Sequence, residues 1–115
     1  MVIYDQGLQK IAEELSDLID QGQWGLGTAV PTSSDTGLES PITATQLSTT
    51  NTESGNSFQL TYELNTTTGN GNDLTEYEVQ FSSDDTGLGR NLKGPISKTD
   101  DIKVTVISTY NILRG

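Results

Sequence analysis

Two short segments of this chain carry the residues of a catalytic carboxylate turn. Asp35-Thr36-Gly37 lies within SSDTGLES, and Asp85-Thr86-Gly87 lies within SSDDTGLGR. Aspartic proteases use this triplet twice, because their two carboxylates must sit close enough to share one proton. Such a pair has to be buried, and burial requires apolar flanks. Asp35 follows Thr32-Ser33-Ser34 and Asp85 follows Ser82-Ser83-Asp84, so both flanks are polar. A plainer reading fits better: Asp opens a turn and Gly supplies a positive φ. Both triplets are therefore read as turns, and the segments around them do not align as a duplication.

Other chemistries fare no better. The 115 residues include no Cys and no His, which removes disulfides, thiolate nucleophiles, imidazole bases and Cys/His metal sites together. Ser and Thr number 28, but no His is present to activate one. Asp84-Asp85 and Asp100-Asp101 offer oxygens for a structural cation without the alternating spacing of a calcium loop, so no cofactor is expected. Gly25-Leu26-Gly27 is too short for a phosphate cradle. Asn65-Thr66-Thr67 matches the N-glycosylation sequon. Trp24, Tyr62 and Tyr77 are of a type to stack on a sugar ring, although aromatic residues in alternating strands more often fill a core. The chain is read as non-enzymatic.

Sixteen acidic residues against six basic ones give a net charge of −10, which repels nucleic acid and anionic membranes. Few Lys beside abundant Asp, Glu and Thr is a composition compatible with a high-salt habitat. No apolar run approaches the roughly 20 residues that span a bilayer, and no basic segment followed by an apolar one marks a secretion leader.

The elements that must position these residues can be read from periodicity. Residues 4–21 predict a helix, with Leu8, Ile11, Ala12, Leu15, Leu18 and Ile19 on one stripe, Asp5 as N-cap and Gly22 as its end. Burying that stripe is worth on the order of 10 kcal/mol before entropy, so it must dock on its own sheet or on a neighbouring subunit. Strands are expected at 24–30, 42–50 (an edge), 58–64, 74–81, 90–98 (broken by Pro95) and 101–113. The prolines at 31 and 41 bracket a loop, NTESGN at 51–56 is a turn, and Asn70-Gly71 is the expected tight hairpin turn. Phe58, Leu60, Tyr62 and Leu64 share one strand face, as do Tyr77, Val79 and Phe81, with Glu76, Glu78 and Gln80 pointing outward. Ile102, Val104, Val106, Tyr110 and Ile112 share a face of the last strand, and Ile107 and Leu113 take the other. The expected fold is mainly β: a small antiparallel β-sandwich or barrel, residues 23–115, preceded by one amphipathic helix, residues 1–22.

In order, these segments resemble a family of small virion modules of tailed viruses of bacteria and archaea, found in tail fibres or on the particle surface. The cues are the helix QGLQKIAEELSDLID, the loop GLGTAVPTSSDTGLES, the strand LTEYEVQF, the turn and strand TGLGRNLKGPISKT, and the closing strand IKVTVISTYNI. The matching positions are Gly27, Thr28, Asp35, Thr36, Leu38, Glu76, Arg90, Pro95, Ile96 and Lys98; where family members carry a glycine two residues after the glutamate, this chain has Glu78. The resemblance implies a structural component located in the virion, without catalytic residues. Its expected partners are itself, as a trimer or pentamer, and other virion proteins. It would serve as a capsid decoration or turret, or as a tail fibre or baseplate component. The alternative is a β-sandwich that binds host-surface glycans.

Overall fold

The structure, a computed structural model, describes residues 1–114. One helix, α1 (Asp5–Leu18), precedes seven strands: β1 (Ile19–Gly25), β2 (Leu47–Ser48), β3 (Thr50–Ser54), β4 (Ser57–Leu64), β5 (Asp73–Phe81), β6 (Thr86–Ser97) and β7 (Val104–Asn111). They form two antiparallel sheets, β2-β1-β5-β6 and β3-β4-β7. The fold is thus mainly β and sandwich-like, with an N-terminal helix, and it does not close into a barrel.

The alternation seen in the sequence places the core. Phe58, Leu60, Tyr62 and Leu64 of β4 are all buried and face Trp24, Tyr77 and Val79 of the other sheet. Ile102, Val106, Tyr110 and Ile112 pack against this core from the β7 side. Tyr77 lies at its centre, with ring centroids 5.4 Å from Trp24 and 5.3 Å from Tyr62. Ile107 and Leu113, on the other side of the last strand, are exposed.

The helix is shorter than its stripe. It stops at Leu18, and β1 starts at Ile19 with no linker between them. Ile19 satisfies the helical spacing equally well, but it is buried in the core as the first strand residue. The Asn51 side-chain amide donates to the carbonyls of Ser16 and Ile19, 2.6 and 2.7 Å away, and so satisfies the freed helix end. Gly22 does not end the helix. It lies within β1 beneath Tyr62 and Tyr77, where a Cβ would collide with both rings. Asp5 is the first helical residue rather than the cap, and its carboxylate is ion-paired with Arg114 at 2.6 Å.

Other boundaries also move. The expected edge strand at 42–50 resolves into a 3-10 turn (Thr43–Thr45), the two-residue β2 and the start of β3. The expected turn 51–56 is mostly strand, and the chain reverses only at Gly55 and Asn56. Between β4 and β5, Gly69 and Gly71 take positive φ while Asn70 does not, so the connection is a longer turn in place of the tight Asn-Gly pair. Pro95 does not break β6. The strand runs through it, and the pairing with β5 shifts register between Leu74 and Glu76 to absorb the extra residues.

Candidate functional site

Glu76, Glu78 and Gln80 point away from the core, as the alternation requires. They are nevertheless buried, each at 4 % exposure or less. The long loop between β1 and the 3-10 turn folds back over this outer face and covers it. A network of polar side chains thus lies between sheet and loop, where the sequence pattern alone reads as a solvated face.

Glu76 is the anchor of that loop. Its Oε2 accepts from the backbone N–H of Gly27 at 2.7 Å and of Ser40 at 2.9 Å, and its Oε1 from the N–H of Glu39 at 2.9 Å. The Arg90 guanidinium adds a charged contact at 3.1 Å. Burial alone would push the Glu76 carboxyl up; the three amides and Arg90 outweigh it and hold the group below the ordinary carboxylate range. Arg90 continues the chain of contacts, donating to Asp35 at 3.1 Å and to the Ala29 carbonyl at 2.9 Å. Asp35 also receives the backbone N–H and the hydroxyl of Thr32, each at 3.0 Å. The Thr32 N–H and Arg90 lower the Asp35 carboxyl.

Glu78 differs. Among the described residues its carboxylate receives one side-chain hydrogen bond, from Gln80 Nε2 at 2.7 Å, and no cation pairs with it. Burial raises its pKa, and the Gln80 bond only partly offsets this. It lines a cleft of about 340 Å³ walled by Thr32, Asp35, Thr36 and Gly37 on the loop side and by Gly87, Leu88 and Arg90 on β6. Beyond Gln80, amides continue the network: Gln21 and Gln46 donate to Gln80 Oε1 at 2.6 and 3.1 Å, and Gln80 donates to Gln23 at 2.9 Å.

The structure therefore brings together Gly27, Asp35, Glu76 and Arg90 from the sequence pattern, with Thr36 lining the adjoining cleft and Leu38 half-buried in the same loop. The Thr28 N–H donates to Glu39 at 3.1 Å. Lys98 belongs to another cluster: buried at 1 % exposure, it donates to Asn70 at 2.7 Å and to the Thr99 carbonyl at 3.0 Å. Ile96 packs on the core next to Pro95. Sequence reasoning passed over Glu78, Gln23 and Gln80 as network members. The available signal was three Gln (21, 23 and 80) at strand positions that alternate with core residues, with Gln46 just before β2.

The two Asp-Thr-Gly triplets flank this region without forming a dyad. Asp35 is bound to Thr32 and Arg90, and Asp85 sits in a turn at φ 63°, accepting from Gln21 at 3.0 Å. Trp24, Tyr62 and Tyr77 are core residues at 2 % exposure or less and offer no stacking surface. Among the described residues no group of three or more His, Cys, Asp or Glu is arranged to hold a metal ion. No helix among them is long and apolar enough to cross a membrane.

Of the helical stripe, Leu8, Ala12 and Ile19 are buried and Leu15 packs against the core. Ile11 and Leu18 are exposed at 45 % and 53 %, in line with Tyr4 at 71 %. Comparison with protein-family models, with curated proteins and with solved structures gave no match.

Proposed function

We propose that the chain is a non-enzymatic structural module of a tailed-virus particle that assembles with copies of itself. The carrying observation is the use made of Glu76, Arg90 and Asp35. These charged groups are brought together by the fold, and their hydrogen bonds fix a 17-residue connection to a sheet. A carboxylate saturated by three amides and a guanidinium is a poor base and a good strut. Exposed Ile11 and Leu18 on the helix, with Tyr4 just before it, supply apolar surface of the kind assembly covers. The particle assignment rests on the resemblance of the ordered segments. Within the particle, its place is either a capsid decoration or turret, or a tail fibre or baseplate component.

The test is gold-labelled antibody against this protein on purified particles of the source virus. Gold on the head or its vertices supports a decoration or turret, and gold on the tail supports a fibre or baseplate part. Unlabelled particles overturn the reading. Glycan binding, the alternative, loses its expected aromatic platform with the burial of Trp24 and is kept only as a titration control.

A further inference from the structure

The two Asp-Thr-Gly triplets have a neighbour in common. Gly37 of the loop and Gly87 of β6 both abut the Glu78 carboxylate: a Cβ on Gly37 would stand 4.0 Å from its Oε2, and a Cβ on Gly87 would collide with it. The two glycines keep side chains away from this group, which lines the cleft of about 340 Å³. Glu78 is 4 % exposed, and its two oxygens are used unequally. Oε1 accepts from Gln80 Nε2 at 2.7 Å. Oε2 accepts no hydrogen bond from the described residues. Yet it is not among the unpartnered side-chain atoms sealed from solvent, which are Ser16 Oγ, Trp24 Nε1 and Arg90 Nε. It therefore opens to the cleft. A carboxylate oxygen on a buried side chain, with space before it and no donor, calls for a donor from outside.

Charge favours a cation there. Arg90 is the one cationic residue lining the cleft, and it is already divided between Asp35 and Glu76 at 3.1 Å each. With Glu78 the cluster holds three carboxylates and one guanidinium, in a chain of net −10. Geometry then selects the kind of cation. A guanidinium grips a carboxylate through both oxygens, and Gln80 occupies one of these. A metal ion needs several free oxygens. Those of Asp35 and Glu76 are committed to Arg90, Thr32 and the loop amides. An ammonium is a compact point charge that can use a single open oxygen. Its remaining donors meet a wall bearing the hydroxyls of Thr32, Ser33 and Thr36, and an alkyl stem meets Pro31 and the exposed Leu88.

We infer that the cleft beside Glu78 binds a primary alkylammonium, its charged nitrogen on Oε2, as either the side chain of a lysine on another polypeptide or a free amine of the same chemistry. Asp35, Glu76 and Arg90 keep their own partners and hold the walls. The site is independent of the place proposed for the chain in a virus particle, and unlabelled particles would leave it standing.

The experiment is an NMR titration of the full chain at pH 7 in an amine-free buffer of low salt, read at backbone amides and side-chain carboxyl carbons. The probes are N-acetyl-lysine methylamide and n-butylamine, with the corresponding arginine derivative and the neutral ε-acetylated lysine derivative for comparison. The lysine derivative should give saturable shifts at the Gly37 and Gly87 amides and at the Glu78 carboxyl carbon. Glu78→Gln should weaken binding roughly tenfold or more, the loss of one charge-assisted hydrogen bond, without lowering the melting temperature. Gly37→Leu keeps the Glu78 charge but fills the space before it, at a position where φ is not positive, and should weaken binding as much. The arginine and ε-acetylated probes should bind less tightly than the lysine derivative. Tighter binding of the lysine derivative than of butylamine assigns the ligand to a protein side chain; equal or weaker binding assigns it to a free amine. The absence of saturable shifts overturns the inference. So do shifts spread over surface carboxylates and unchanged in Glu78→Gln, which would mean general attraction to an acidic surface. Unchanged binding in Gly37→Leu, an arginine probe that binds as tightly, or calcium that displaces the amine at equal concentration would overturn it as well.

Discussion

Glu76 and Glu78 are two residues apart on one face of one strand, and both are buried, yet their surroundings oppose each other. Glu76 meets three amide N–H groups and a guanidinium; Glu78 meets one side-chain amide and an open cleft. Burial costs both charges. At Glu76 the loop backbone repays the loss of water, and the ionised form is favoured. At Glu78 the single Gln80 amide offsets only part of it, and the pKa is raised. The difference shows that burial alone decides neither the charge nor the value of a buried carboxylate; the donors around it do.

The contrast is broken most directly at Glu76. Glu76→Gln should cost about 3 kcal/mol at neutral pH, since it removes the buried one of Arg90's two carboxylate partners and replaces a strong acceptor with an amide that clashes with N–H donors. Urea unfolding would measure this, and a cost below about 1 kcal/mol would mean the loop is held by something else. The same change at Glu78 should have the opposite sign. Glu78→Gln in the isolated chain should stabilise by about 1 kcal/mol at pH 7, a rise in Tm of roughly 4 °C, because it removes an uncompensated charge. A loss of stability there would reveal a cation partner within the monomer.

The pH dependence sharpens the comparison. For Glu78 the folded state holds its proton above the ordinary carboxylate pKa, so stability falls as pH rises through the window between the ordinary and folded values. For Glu76 the folded state gives up its proton early, so its contribution is present above the ordinary value and is lost as pH falls towards the lowered one. The gap between wild type and Glu78→Gln should therefore widen from acid to neutral pH, and the gap for Glu76→Gln should close on acidification. Parallel melting curves for wild type and Glu78→Gln across that range would contradict the assignment. A smaller effect is expected from salt. With −10 net charge, Tm should be higher at ~2 M than at ~0.15 M NaCl as repulsion is screened, and equal values would remove the suggestion of a high-salt habitat. Asp35→Asn should do least, lowering Tm by roughly 1–2 °C, because this carboxylate is on the surface and solvent compensates for it.

Where period-two alternation met a core, the sequence was legible. β4, β5 and the inward face of β7 follow directly from Phe58 to Leu64, from Tyr77 to Phe81 and from Val104 to Tyr110. It was misleading where one residue satisfied two patterns. Ile19 fits a helical stripe and a strand equally well, and only Asn51, 32 residues away, settles where the helix stops. Gly22 resembles a helix terminator, and its actual reason, two tyrosine rings from other strands, is a tertiary fact. The site was half visible. Gly27, Asp35, Glu76 and Arg90 stand out as an ordered pattern, but Glu78 and Gln80 read as solvated because nothing local announces that a polar loop will lie over them.

The junction between Leu18 and Ile19 has a mechanical meaning. Helix and strand are continuous, and Asn51 ties their meeting point to β3 of the opposite sheet. The helix is therefore a rigid lever, not a tethered arm. A load on its exposed Ile11 and Leu18 passes without slack into β1, and through the β1–β5 ladder to the strand that carries Glu76. Helix and sandwich should accordingly share one unfolding step and one hydrogen-exchange protection class.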